Sequence, residues 1–591
     1  MKRIFLFLIG ITLCISLLPG CRKSSDTSDL SDRTENPALS DQAGTQEPTS
    51  SPICINVVTD WGITAGEGYG LQNALLLADK LDSLQDNTEI VFPQGEYELA
   101  FPMHLVSKQN VSLVGQNATI VRTHVSNKAA RQEPLDDPSI PEDVKPYTAS
   151  SSILIIKDCH DVKAEGFTFK YAVPTSLCGT VLSKQGDSVT IEIDNTTDFT
   201  GEEYATIINT FTKDGVPDKT FEQYSAANFP LEKLSENTLR ISGLDAGGVS
   251  NVKKGMRIGL RLATGSDYVI NLSGSTNTSF VSLTMYNSLN GGIIVGDRCK
   301  DLTVSGLTVK PENDRSLFSL NADILHISSL SGSLIVENSH LESPGDDCVN
   351  VHHMAYVVDS IDTNKVTVRA PRFSVDSSWA QAGDVIDFYD SSSFAHLGSA
   401  TIIDTQANAY SFDALPANVG AGVVLSNTAL RPQTIIRNVT VLSNRARGFL
   451  LQTDNVLVEN CTFKDTALAA ILLAPDLEHW FEMSPASNVT IRGNTFESCG
   501  KYASGIIQIS ASHDAPDKVY PAYVHQGITV EQNIFGSGSR SALFGVCVDT
   551  LTFQNNDFSG FRGKFVTLSH CKNVTLDEQT QQNSSLTDVN P

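Results

Sequence analysis

At 591 residues the chain is long enough for several domains or for one extended repetitive one. Its net charge of −25 and isoelectric point near 4.8 argue against nucleic acid and anionic lipid as partners, and more weakly against polyanionic substrates. Only 7% of the side chains are aromatic while glycines number 41. With abundant Asn, Ser and Thr, that is the balance of turn-rich β structure.

Residues 1–20 read as a targeting segment outside the fold. Lys2 and Arg3 precede an apolar run from Ile4 to Leu18, short for a spanning helix. The run ends in Leu17-Leu-Pro-Gly-Cys21, which resembles a bacterial lipobox. That implies cleavage before Cys21, acyl chains on its thiol, and a soluble body whose contact with the membrane is through lipid. The expected location is the envelope of a Gram-negative cell, at the outer membrane, facing the periplasm or the outside. An ordinary secretory signal is the alternative. Residues 21–52, rich in Ser, Thr, Asp, Gln and Pro, cannot bury a core and read as a flexible tether. Beyond Cys14 and Cys21, the remaining cysteines run from Cys54 to Cys571 at irregular spacing and in odd number. That is neither a disulfide framework nor a zinc pattern, and most are expected as buried thiols.

Residues 53–172 open the folded body. Leu71, Ala74, Leu75 and Ala78 recur at helical spacing ahead of Glu89-Ile-Val-Phe-Pro-Gln-Gly-Glu-Tyr-Glu-Leu99. A short helix followed by strands suits the cap of a solenoid, whose first rung must be covered. From there a unit of alternating apolar residues recurs, with Asn, Asp or Gly at its sharp bends. Examples are Asn110-Val-Ser-Leu-Val, Asp301-Leu-Thr-Val, Asn455-Val-Leu-Val, Asn488-Val-Thr-Ile and Asn573-Val-Thr-Leu. Recurrence at roughly 17–32 residues, with no helices between, predicts an all-β fold: a right-handed parallel β-helix, not a propeller. Residues 173–265 and 356–430 break the repeat. Each reads as short strands with turns between, such as Gly255-Met-Arg-Ile-Gly-Leu-Arg-Leu262 and Gly383-Asp-Val-Ile-Asp-Phe388. Both are predicted to form small antiparallel β-barrel insertions. That leaves residues 266–355 as the middle of the β-helix and 431–591 as its C-terminal part and tail.

The middle portion carries Asn321-Ala-Asp-Ile-Leu-His326 and Gly345-Asp-Asp-Cys-Val-Asn-Val-His352. Asp323 and Asp346 lie 23 residues apart, about one turn of such a coil. They are therefore expected on neighbouring strands about 4.8 Å apart. Asp347 joins them if the strand bends at Ser343-Pro-Gly. Crowded carboxylates raise one another's pKa, which keeps one protonated as a proton donor. Glycoside hydrolysis needs such a donor and a second carboxylate. The pair stands about 6.5–9.5 Å apart for inversion and about 5–5.5 Å apart for retention. Divergent side chains on neighbouring rungs suit the wider gap. A calcium site and functionless turn acids are the competing readings.

On these segments the chain resembles the pectin-lyase-like superfamily, and within it glycoside hydrolase family 110, the inverting exo-α-1,3-galactosidases. The resemblance is carried by Gly166-Phe-Thr-Phe-Lys-Tyr171, Met285-Tyr-Asn-Ser, Asp314-Arg315, the two acid segments, Asn444-Arg-Ala-Arg-Gly448, His479-Trp-Phe-Glu482 and the two insertions. The Gly-His-Gly and Arg-Ile-Lys of polygalacturonases are absent, so no receptor for a uronate is evident. Ile324-Leu325 and His353 stand where the family often has Gly. The resemblance implies that Asp323, Asp346 and Asp347 form the catalytic group; within it we assign Asp346 as the acid and the other two to holding the water, with the reverse division as the alternative. His326, Asn350, His352, Trp480 and Glu482 are candidate substrate contacts, with a structural role for His352 and core packing for Trp480 and Glu482 as alternatives; Arg315, Arg445 and Arg447 either contact hydroxyls or orient the acids, and no metal or other cofactor is expected. The implied substrates are galactose-terminated glycans, of blood-group B type or linear Galα1-3Gal. Monomer and homodimer are both left open. The alternatives are a polygalacturonase-like hydrolase or lyase, and a non-catalytic carbohydrate-binding solenoid.

Overall fold

The computed structural model describes residues 51–129, 131–194, 199–264 and 267–590; the targeting segment, Cys21 and nearly all of the tether lie outside them. Among the described residues, 31 strands join one sheet wound into a parallel β-helix. The helix α1 (Gly70–Asp82) lies across its N-terminal end and buries Ala74, Leu77, Ala78 and Leu81. Asn73 ties it down by donating to the Thr64 and Glu98 carbonyls at 2.8 and 3.2 Å. The buried stripe sits one step round from the one expected: Leu71 and Leu75 are only half-buried.

The rungs follow from alternation. Six strands carry the part of the coil that matters for function: β1 (Ile293–Gly296), β2 (Leu325–Ile327), β3 (Val349–Val351), β4 (Phe449–Leu451), β5 (Ile471–Leu473) and β6 (Gly505–Ile509). Their register stacks Ile293, Leu325, Val349, Phe449, Ile471 and Ile507 in one inward column. Val295, Ile327, Val351 and Leu451 form a second. Each such fully buried side chain contributes roughly 1.5–3 kcal/mol. Between the columns, Ile294, His326, Asn350, Leu450, Leu472 and Gln508 face the other way, because successive side chains alternate.

The bends between sheets recur at equivalent positions. Asn110, Asn277, Asn455, Asn488 and Asn573 all have φ between 52° and 55°, the left-handed conformation that Asn tolerates better than most residues. Neighbouring rungs then bond through them, as where the Asn488 amide donates to Asn455 Oδ1 at 2.7 Å. A buried ladder of Asn494, Asn533 and Asn556 does the same inside: the Asn494 N–H donates to Asn533 Oδ1 at 2.9 Å and the Asn533 N–H to Asn556 Oδ1 at 3.0 Å. Cys159, Cys178, Cys299, Cys348, Cys461, Cys499, Cys547 and Cys571 are buried and form no disulfide.

The coil is interrupted twice. Strands from Ser176 to Leu262 form a seven-stranded antiparallel sheet around its own core of Leu177, Ile191, Ile258 and Leu260. Its strand order leaves Pro217–Tyr224 and Leu231–Ser235 as the two edges, with no closing pair among the described residues. Strands from Tyr356 to Asn427 do close, into a six-stranded barrel filled by Trp379, Phe388 and Phe412. Arg298, just after β1, grips the barrel's Asp384 with both guanidinium nitrogens, at 2.7 and 3.0 Å.

Candidate active site

Asp323, Asp347 and Arg447 each precede the first residue of β2, β3 and β4 by two positions, so the register that stacks Leu325, Val349 and Phe449 stacks them too. The turn is therefore 24 residues, and the equivalent of Asp323 is Asp347, not Asp346 as a 23-residue turn would have it. One contact repeats up the column: the Asp347 N–H donates to Asp323 Oδ1 at 2.9 Å, and the Arg447 N–H donates to Asp347 Oδ1 at 2.9 Å. Arg447 adds its Nε to the same oxygen at 2.8 Å.

Asp346 reaches the cluster because the chain bends at Gly345-Asp346. Two guanidiniums hold that bend. Arg261, from the last strand of the first insertion, donates to the carbonyls of Asn321 and Gly345 at 2.7 and 2.8 Å. Arg445 donates to Gly345 O at 2.7 Å and pairs with Glu222, also from the first insertion. Against the desolvation of its site, Arg445 and Lys219 pull the Glu222 carboxyl down to about 2. Gly345 has room for no more: an added Cβ would lie 2.3 Å from the Asn321 carbonyl oxygen.

One oxygen from each of Asp323, Asp346 and Asp347 lies within 4.8 Å of the others. Burial, reinforced by Asp346 and Asp323 and opposed by Arg447, pushes Asp347 up to about 7. Its side chain is 1% exposed, whereas that of Asp346 is 37% exposed. Arg447 Nη2 stands 3.7 Å from Asp346 Oδ1, so one guanidinium supplies positive charge to two of the three acids.

The acids floor a cleft of about 420 Å³. One wall is polar. His326 Nδ1 lies 2.7 Å from Asp323 Oδ2, Asn350 follows it up the outward column, and His352 Nδ1 lies 3.0 Å from Asn350 Oδ1. Burial lowers the pKa of His326, but the bond and charge of Asp323 outweigh it and raise it overall. Glu482 enters from a loop that pairs Glu482–Met483 antiparallel with His353–Met354. Burial foremost, with Asp323 and Asp476 adding, pushes its carboxyl up to about 7. Aromatic side chains also line the cleft. Phe373, from the second insertion, stacks near Trp480 with centroids 6.2 Å apart. Arg372 lies 3.8 Å over the indole and donates to His479 Nε2 at 2.8 Å.

Of the substrate contacts expected from sequence, His326, Asn350, His352, Arg447, Trp480 and Glu482 line this cleft. Arg315 does not: it is exposed, its carbonyl accepting from Arg257 of the first insertion. Arg445 sits buried behind the bend and acts on Gly345 and Glu222. Trp480 has Arg372 on one face, so that face is closed to a sugar. Tyr268, Phe373 and His513 line the cleft without having been expected there. Tyr268 follows the first insertion and Phe373 belongs to the second, so neither has a rung pattern to mark it.

Asp476, His513 and Asp514 also bring ligand-type atoms within 4.8 Å of one another, and Asp476 Oδ2 is buried without a hydrogen bond. The donor set does not fit a cation. Arg447 Nη1 can only donate, so His513 Nε2 must accept from it. The proton of the neutral ring is then on Nδ1, the atom facing both acids at 3.0 and 3.9 Å.

Fold and cleft together define a right-handed parallel β-helix with a carboxylate-floored cleft, and comparison with known proteins agrees. The family model described as a right handed beta helix region matches residues 387–514 and 421–581. Among curated proteins, the chain is 28% identical over 322 residues to Alpha-1,3-galactosidase B of Akkermansia muciniphila, covering 51% of this chain and 40% of that one. It is 32% identical over 269 residues to Alpha-1,3-galactosidase A of the same organism, covering 43% of each. The chain thus spans less than half the length of these two relatives. With Alpha-1,3-galactosidase B of Bacteroides thetaiotaomicron it is 22% identical over 589 residues, covering 89% of this chain and 92% of that one. Among solved structures, a family 28 exopolygalacturonase of Yersinia enterocolitica aligns at 12% identity with a TM-score of 0.43, covering 92% of this chain and 76% of that one. This chain is a β-helix protein related in sequence to proteins named alpha-1,3-galactosidase.

Proposed function

We propose that the chain is a glycoside hydrolase that removes terminal α-1,3-linked galactose from glycans, with inversion. The observation that carries this reading is the cluster of Asp323, Asp346 and Asp347 on the floor of the cleft, in a chain whose curated relatives are named alpha-1,3-galactosidase. A volume of about 420 Å³ falls within the range of small-ligand clefts, about 300–1,000 Å³, and suits a terminal sugar better than a threaded polymer.

Protonation supports a division of labour. Both oxygens of Asp323 are engaged, by the Asp347 N–H and by His326. Asp347 holds the cluster's proton in the empty cleft, since burial pushes it up to about 7. Asp346 is the exposed member, the acid a bound sugar meets first. Asp346 protonates the glycosidic oxygen, and Asp347 with Asp323 orders the attacking water. The close grouping of the acids leaves a second reading, retention through a covalent intermediate. Inversion takes precedence because it gives the third acid a task, which a covalent mechanism does not.

A panel of nitrophenyl glycosides and defined oligosaccharides tests the substrate. Release of galactose from α-1,3-linked termini, without action on β-galactosides or oligogalacturonate, is the expected result. Cleavage of oligogalacturonate, or of none of the panel, would overturn it.

A further inference from the structure

We infer that Glu482 works as a neutral carboxylic acid, a hydrogen-bond donor in the cleft whose proton is called for by a directional chain running from Asp323. The inference rests on the cleft being the glycoside site. Its geometry begins with Asp323 Oδ2, which accepts from Asn350 Nδ2 at 3.5 Å as well as from His326. That contact turns the Asn350 amide nitrogen toward the carboxylate and its oxygen away. The oxygen lies 3.0 Å from His352 Nδ1. An amide oxygen only accepts, so Nδ1 carries hydrogen. His352 is fully enclosed, and burial, with His326 and His353 nearby, holds its pKa well below that of an ordinary histidine. A neutral imidazole has one N–H, so Nε2 presents a lone pair. That lone pair faces Glu482 Oε1 at 3.7 Å. An ionised Glu482 would set two acceptors against each other, in a site where its side chain is 13% exposed. A protonated Glu482 removes that opposition, although at 3.7 Å the two atoms are too far apart for a hydrogen bond.

The groups around Glu482 agree. Asp323 before β2, Asp476 on the preceding loop and burial itself favour the protonated form, while His326 on β2 and Arg447 before β4 oppose it; the balance stands near 7. Tyr268, its ring 5.7 Å from that of His326, feels the same carboxyl and is itself held neutral, chiefly by burial. The consequence for chemistry is economy of charge. Three acids already share the floor, and a fourth carboxylate would add repulsion. A neutral acid instead offers its hydrogen to a sugar oxygen that accepts it, or keeps it turned toward His352 while its carbonyl accepts from a hydroxyl.

The test compares E482Q with E482A, because Gln keeps a neutral, donating group and Ala does not. With a nitrophenyl α-galactoside at pH 6, E482Q loses up to about tenfold in kcat/KM and E482A about 10–100-fold more, the effect of leaving a buried acceptor unpaired. On the alkaline side the wild type falls with the loss of two protons, from Glu482 and the Asp cluster, and E482Q with the loss of one. Infrared difference spectra at pH 6 read the proton without any activity: the wild type shows the carbonyl band of a buried protonated carboxyl that E482Q lacks. E482Q as damaged as E482A, or no such difference band, would overturn the inference. If the wild type hydrolyses no α-galactoside, the reading of the cleft fails, and the infrared band still decides the state of Glu482.

Discussion

Arg447 is the one guanidinium that touches the column directly, and Arg447→Met shows what it does. The substitution removes the 2.8 Å bond from Nε to Asp347 and the donor to His513 Nε2, while the main-chain N–H to Asp347 stays. Losing the donor to the half-buried His513 ring costs about 1–3 kcal/mol while that ring stays neutral. The effect on Asp347 depends on pH. Its folded-state carboxyl is raised to about 7, so the folded protein binds more protons than the unfolded one between the ordinary carboxylate range and pH 7. Wild-type stability therefore falls across that window and levels off above it. Without Arg447 the carboxyl rises further, and stability keeps falling past pH 7 at about 1.4 kcal/mol per pH unit. Glu482, whose carboxyl Arg447 also lowers, moves in the same direction. The variant should thus trail the wild type by about 1–3 kcal/mol at pH 6, and by about 1.4 kcal/mol more at pH 8. Chemical denaturation at both pH values measures this. A deficit equal at the two would refute the claim that Arg447 sets the ionisation of Asp347.

Other expectations follow from the same geometry. Asp346→Asn and Asp347→Asn should each lower kcat by about 10²–10⁴-fold with the fold intact; near-wild-type turnover with an unchanged melting profile would remove them from the chemistry. Gly345→Ala should cost about 1–3 kcal/mol and reduce kcat, since its Cβ would meet main-chain Asn321 and the Arg261 guanidinium. A variant with wild-type melting and turnover would show that the bend is not fixed.

The β-helix is legible because one rule, apolar alternation with Asn, Asp or Gly at most of the bends, recurs from rung to rung. The acid segments are legible for the same reason: they interrupt that alternation with charge. The register is not, because 23 and 24 residues are equally good turns until strand pairing is known, and one residue decides whether Asp346 or Asp347 stacks on Asp323. Arg315 reads as a neighbour of the acids from its place just ahead of Asn321, yet the intervening segment turns it toward the first insertion. Arg261 and Glu222 carry no local mark at all. They lie 60 and 99 residues before Asn321 in chain order, and only the docking of the first insertion brings them to the bend. What sequence shows as an interruption of the coil is a clamp on its acids.

Proton NMR of the first minutes of hydrolysis of a Galα1-3Gal-terminated oligosaccharide tests the central claim most directly. Direct displacement by a water held between Asp347 and Asp323 releases β-galactose first, with the α-anomer growing only by mutarotation. Initial α-galactose, or a galactosyl adduct trapped on any of the three aspartates, would contradict it.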